Sequence, residues 1–168
     1  PGSGSDDLVS MKTTAKKDGD YYILNGSKTY ITNGSIADIV LVYAKTEANK
    51  GNKGISTFVV ETKSPGFNVV SKLKKMGYRG SQTAELFFEN LKVHKDNMIG
   101  PEGGGHITVM NGLDFERAMI APICLGISER ALEISVEYAK IREQFGKPIS
   151  SFQMIQSKIA DMYTWVES

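Results

Sequence analysis

In the run Leu113-Asp114-Phe115-Glu116-Arg117-Ala118-Met119-Ile120-Ala121-Pro122-Ile123, Glu116 is a carboxylate set at the edge of a long apolar stretch. Apolar surroundings strip water from a carboxylate and raise its pKa, the property a general base needs near neutral pH. The same residue also reads as a surface glutamate paired with Arg117 or Arg130, and spacing alone does not separate the two. Arg142 ends a helical pattern ahead of Gln144, Phe145 and Lys147. A guanidinium there can grip a phosphate through two parallel hydrogen bonds, or simply complement the helix C-terminus in solvent. The opening Gly2-Ser3-Gly4-Ser5 offers backbone N–H groups and two hydroxyls that could wrap a phosphate or a pantetheine chain, but it is also the kind of segment an expression vector leaves behind.

Other chemistries find less support. No Gly-x-Gly-x-x-Gly joins a strand to a helix, and no phosphate loop ends in Gly-Lys-Ser/Thr, which argues against Rossmann and nucleoside-triphosphate sites. His94 and His106 lack Cys, Asp or Glu companions at metal-ligand spacing, so no metal site is expected and both read as surface or loop residues. Cys124 has no second cysteine to pair with and lies in an apolar run, as a small core residue in a reducing compartment would. No nucleophile elbow surrounds any serine. Twenty basic against nineteen acidic residues leave a charge of +1, which points to neither nucleic acid nor an acidic membrane surface, so any basic site must be local. No stretch approaches the roughly 18 apolar residues of a membrane span.

These residues need two kinds of scaffold. The 168 residues, 40% hydrophobic, suffice for one domain or two small ones. From Asp6 to about Met98 the pattern is strand-like, with six strands expected at 9–15, 21–28, 39–45, 55–61, 67–73 and 84–93. Asp18-Gly19, Asn25-Gly26, Asn33-Gly34 and Pro65-Gly66 read as turns between them. After Pro101-Glu102-Gly103-Gly104-Gly105 the apolar period becomes helical, predicting one helix over about 106–142 that would extend on the order of 50 Å, with a kink near Pro122. Gly146 and Pro148 end it, and a second helix starts near Ser151 with Phe152, Ile155, Ile159, Met162 and Val166 on one face. The fold class is α+β. A small β-barrel or sandwich domain over 1–100 precedes two long antiparallel helices over 101–168 that make an incomplete four-helix bundle. Both ends are expected to be cuts within a longer multi-domain chain.

Four segments carry a family resemblance in order and spacing: Pro1-Gly2-Ser3-Gly4-Ser5-Asp6, Tyr30-Ile31-Thr32-Asn33-Gly34, Met76-Gly77-Tyr78-Arg79-Gly80-Ser81, and Arg142-Glu143-Gln144-Phe145-Gly146-Lys147-Pro148. Together they resemble the acyl-CoA dehydrogenase family, in register over nearly the whole chain. The resemblance implies a middle β-domain and the first two helices of the C-terminal bundle, with FAD between them. It further implies that Tyr30, Ile31 and Thr32 lie along the flavin, where a Trp is frequent in place of Tyr30, and that Ser5 lies near both the flavin and the substrate thioester. Arg142, Phe145 and Gln153 would approach the FAD of a neighbouring subunit, so the active site would depend on a homo-oligomer, expected to be a tetramer. Asp114 and Arg117 match positions lining the acyl-CoA channel. Glu116 matches the base of those members, isovaleryl-CoA and long-chain ones, that carry it in this helix. The activity so implied is α,β-dehydrogenation of an acyl-CoA, expected to be short and branched, to trans-2-enoyl-CoA, with proton removal by Glu116 and hydride transfer to flavin N5. Electrons would pass to an electron-transfer flavoprotein, in bacterial cytoplasm or the mitochondrial matrix. The rival readings are a flavin oxidase or monooxygenase of the same fold, which would use oxygen, and a non-catalytic module that binds a partner and oligomerises. The isolated fragment is expected to be inactive.

Overall fold

The structure, a computed structural model, describes residues 8–168. The chain divides into two compact units, Pro1–Asn111 and Gly112–Ser168. Ser5 and the rest of the glycine-serine opening lie outside the described residues.

Among the described residues the first unit forms a seven-stranded sheet. Its strands are β1 (Thr14–Asp18), β2 (Tyr21–Thr32), β3 (Ile39–Lys45), β4 (Ile55–Glu61), β5 (Phe67–Lys72), β6 (Thr83–His94) and β7 (Met98–Ile99), in the order β5-β6-β2-β1-β3-β4-β7. All pairings are antiparallel except β1 with β3, which meet in parallel at the single pair Thr14 and Lys45. Tyr22 of β2 and Phe58 of β4 have ring centroids 5.1 Å apart although two strands lie between β2 and β4. In a flat sheet three strand spacings would separate them by roughly 14 Å. The sheet therefore closes over on itself about the narrow β1–β3 seam, and the two halves share one core of Tyr22, Leu24, Val42, Phe58, Leu86, Phe88 and their neighbours.

Strands β3 and β4 occupy the expected residues. The first expected strand does not form over 9–15: Leu8–Ser10 is a 3-10 turn, and the strand begins at Thr14. Met11, Thr13 and Ala15 are buried in alternation, so the period is real while residues 11–13 stay outside the regular ladder. Asn25-Gly26 is a bulge inside β2 and not a turn. Positive φ suits either, and here the strand continues on both sides; at Gly26 (φ +138°) a Cβ would come within 2.7 Å of Thr13 Cα. The Gly103-Gly104-Gly105 run packs against the start of β4, where the Gly103 N–H donates to Ser56 Oγ at 2.9 Å and a Cβ on Gly105 would meet the Ile55 carbonyl oxygen at 2.8 Å.

Helix α1 runs from Gly105 to Ile141, within one residue of expectation at each end, and continues through Pro122. The boundary between the units falls inside it. In the second unit Met119, Ile120, Ile123, Leu125, Ile127 and Ile134 are all exposed, and so is Cys124, which the sequence reading had placed in a core. Apolar residues facing several directions mark a helix made to be enclosed on more than one side. After α1 come β8 (Glu143–Gln144), β9 (Lys147–Pro148) and helix α2 (Gln153–Glu167). Leu132 and Val136 of α1 face Ile159, Ala160 and Tyr163 of α2 across an apolar groove of about 410 Å³. Among the described residues no helix is long and apolar enough to cross a membrane.

Candidate cofactor and substrate site

In the first unit the candidate residues sit where β2 loses its regular register. The pairing with β6 shifts between Lys28 and Ile31, and within that bulge Tyr30 takes φ +62°. A left-handed backbone is uncommon for a bulky residue, and its cost is of order 1–3 kcal/mol. The bulge turns Tyr30 outward, leaving it 78% exposed, while Ile31 packs against the core and Thr32 is exposed. The turn that follows is fixed by hydrogen bonds from the Gly34 N–H to the Ile31 carbonyl (3.2 Å) and from the Asn33 N–H to the Gln82 carbonyl (2.8 Å). Close by in β2, Lys28 was not singled out in the sequence. Its amine is largely enclosed and donates to Met11 Sδ at 2.8 Å. A thioether is a weak acceptor for an ammonium, and burial pulls the Lys28 pKa down to about 8.

In the second unit Arg142, Phe145 and Gln153 gather around a hairpin, where the sequence pattern alone shows a helix stop. Strands β8 and β9 pair through Glu143 with Pro148 and Gln144 with Lys147, and the two connecting residues, Phe145 (φ +53°) and Gly146 (φ +76°), both have positive φ. That is the geometry of a type I′ turn, normally built from Asn-Gly. Phe145 stands 92% exposed at its tip. Its ring meets Phe152 edge-on at 6.1 Å, and Lys147 Nζ lies 4.6 Å from the Phe152 ring centre. The Ile149 N–H donates to the Arg142 carbonyl at 2.8 Å, which leaves the guanidinium exposed beside the turn, and Gln153 opens α2 just beyond.

Glu116, Asp114 and Arg117 lie on α1, all exposed. The ion-pair alternative for Glu116 is not what the helix adopts: Arg130 pairs instead with Glu133 at 2.8 Å. Among the described residues Glu116 has no ion-pair partner, so its carboxylate is open to a substrate. The described residues supply no apolar cover over it. His94 accepts from the Asp96 N–H at 3.3 Å, whereas His106, expected on the surface or in a loop, is half-buried in the first turn of α1.

Taken separately, each unit presents an exposed aromatic ring on a left-handed backbone of the kind that can lie against a flat aromatic cofactor, and the second unit also exposes a guanidinium suited to a phosphate. Tyr30 is a candidate through the resemblance, and Glu116 through its apolar setting in the sequence and the resemblance together. The exposed, left-handed Tyr78 carries the same signature but entered the sequence reading only as part of a motif.

Residues 1–91 match the family described as "Acyl-CoA dehydrogenase, middle domain", and residues 103–168 match "Acyl-CoA dehydrogenase, C-terminal domain". Over the whole chain the sequence is 48% identical to the mitochondrial isovaleryl-CoA dehydrogenase of Oryza sativa subsp. japonica, covering 41% of that protein. It is 50% identical to the cyclohex-1-ene-1-carbonyl-CoA dehydrogenase of Syntrophus aciditrophicus (strain SB), again over the whole chain and covering 40% of that protein. The solved butyryl-CoA dehydrogenase of Megasphaera elsdenii superposes with a TM-score of 0.94 at 48% identity, covering 99% of this chain and 44% of that one. The chain thus spans about two fifths of the length of the curated relatives it matches.

Proposed function

The chain belongs to the acyl-CoA dehydrogenase family, and from that premise we propose that the protein oxidises a short branched-chain acyl-CoA to its trans-2-enoyl-CoA. The observation that carries this reading is Glu116, a carboxylate on α1 with its nearest sequence candidates for neutralisation engaged elsewhere or free, flanked by Asp114 and Arg117. A monooxygenase has no need of a carboxylate poised over a substrate α-carbon.

In this reading Glu116 acts as the general base that removes the α-proton of the thioester. Asp114 and Arg117 line the channel for the acyl-CoA. Tyr30, Ile31 and Thr32 support the flat face of a flavin, while Arg142, Phe145 and Gln153 reach the FAD of a neighbouring subunit in a homotetramer, the guanidinium gripping its diphosphate. Ser5 contributes its hydroxyl near the thioester. FAD, when bound, supplies the acceptor for the β-hydride, so the two hydrogens leave as a proton and a hydride. Electrons then pass to an electron-transfer flavoprotein, in the mitochondrial matrix or the bacterial cytoplasm. We assign residues 1–100 to the middle β-domain and 101–168 to the first two bundle helices. The relatives' names span different acyl groups, so the branched short chain rests on the place of the base in this helix. Anaerobic addition of a panel of acyl-CoAs to the flavin-loaded protein tests it: isovaleryl-CoA should bleach the flavin, and bleaching confined to straight or long chains overturns the substrate class.

A further inference from the structure

Between Glu61 and Glu85 the sequence has no acidic residue and five basic ones, Lys63, Lys72, Lys74, Lys75, Arg79 being the full set, in a chain whose net charge is only +1. Four of the five surround the loop between β5 and β6, where Lys72, Lys74, Lys75 and Arg79 line a recess of about 450 Å³ with Ser81 and Gln82. None of these four cations has an ion-pair partner among the described residues, whereas Lys63, away from the recess, pairs with Asp38 at 3.3 Å. The adjacent carboxylate, Glu85, accepts instead from the Ser71 hydroxyl at 3.5 Å.

The loop has a defined shape. The Leu73 N–H donates to the Thr83 carbonyl at 2.8 Å across its base, the Ser81 N–H to the Tyr78 carbonyl at 3.1 Å, and Arg79 Nε to the Lys75 carbonyl at 3.2 Å. At its tip Met76 is fully exposed and Tyr78 is 71% exposed in a left-handed backbone, φ +54°. Among the described residues, three of the five non-glycine residues with positive φ are aromatic: Tyr30, Phe145 and Tyr78. The first two are the rings proposed to meet the flavin. Gln82 ties the loop to the turn after Tyr30, through its carbonyl and its side chain.

We infer that this loop is the docking surface for the acidic face of the protein that collects electrons from the flavin. The inference rests on the dehydrogenase reading above and names the surface its oxidative half uses. Four unpaired cations attract an acidic partner over a distance and orient it. Met, Tyr and Arg side chains are the kinds that anchor protein interfaces once the partner arrives, which favours a protein over a small anion. The tie to the Tyr30 turn brings that partner to the edge of the proposed flavin platform.

The test uses the flavin-loaded protein carrying Lys72→Glu with Lys75→Glu, beside wild type and a charge-matched control, Lys16→Glu with Lys17→Glu on β1. Stopped-flow measures acyl-CoA bleaching of the flavin and, separately, the second-order rate of electron-transfer flavoprotein reduction. The loop variant should bleach like wild type but reduce the acceptor at least about tenfold more slowly at low salt. The control should stay near wild type. The wild-type rate should fall as salt rises from about 0.01 M to about 0.1 M and the screening length shrinks from about 30 to about 10 Å. Normal bleaching with a wild-type acceptor rate in the loop variant overturns the docking surface. So does saturable binding of inorganic pyrophosphate that the variant loses while its acceptor rate is kept, which would make the recess a small-anion site. Failure of every acyl-CoA to bleach the wild type removes the dehydrogenase reading itself, and the docking inference with it.

Discussion

The Ser35 hydroxyl donates to the side-chain oxygen of Gln82 at 2.7 Å, while the Gln82 carbonyl takes the Asn33 N–H at 2.8 Å. One residue just ahead of β6 thus fastens the turn after Tyr30-Ile31-Thr32, the proposed flavin support, to the basic loop. Gln82→Ala removes the side-chain bond and keeps the backbone one. We expect it to cost about 1 kcal/mol, or about fivefold in FAD affinity, measured by titrating the flavin-free protein. Unchanged affinity would mean that the turn holds Tyr30 without this tie.

Lys28 makes stability depend on pH in a direction unusual for a lysine. Burial lowers its folded-state pKa to about 8 from the usual 10.5. Between those values the unfolded chain binds more protons than the folded one, so stability should rise with pH from about 8 to about 10.5 and level off above. Below pH 8 the full penalty applies, at most on the order of 3 kcal/mol. Lys28→Met should raise stability at pH 7 and flatten that rise, as followed by urea denaturation at pH 7 and 9.5. A wild-type curve that does not climb across this window contradicts the burial of a charged amine.

Phe145 separates stability from function. At φ +53° its backbone is strained for a phenylalanine and relaxed for a glycine. Phe145→Gly should stabilise the β8–β9 turn by about 1 kcal/mol in thermal denaturation. The same change should weaken FAD binding by about tenfold through loss of the ring. Loss of both together would make Phe145 a structural residue of the hairpin.

Local pattern made much of the fold legible. Alternating β-branched residues placed β3 and β4, and the change to a helical period after Gly103-Gly104-Gly105 placed α1, because burial on one side leaves a period in the sequence. What stayed hidden depends on long-range partners. Asn25-Gly26 permits positive φ in a turn or in a bulge, and only the continued pairing of β2 with β6 decides between them. Phe145-Gly146 is an unusual pair for a type I′ turn, so the hairpin read as a simple stop. Lys28 looked like an ordinary strand cation until Met11 was placed against it. At the candidate site, Glu116 was visible from its setting, and its freedom from Arg130 emerged with the Glu133 pair. The exposure of Cys124 followed from no local signal, since an apolar run reads the same whether its faces are covered or open.

The most direct test of the account is anaerobic flavin bleaching by isovaleryl-CoA in the flavin-loaded protein, wild type against Glu116→Gln. Glutamine keeps the size and polarity of the side chain but cannot take the α-proton. The expected result is rapid bleaching of the wild type and, in the variant, bound substrate with bleaching slowed by at least about a hundredfold. Bleaching of the variant at the wild-type rate would contradict the account, placing the base elsewhere and withdrawing the support that Glu116 gives to the branched-chain reading.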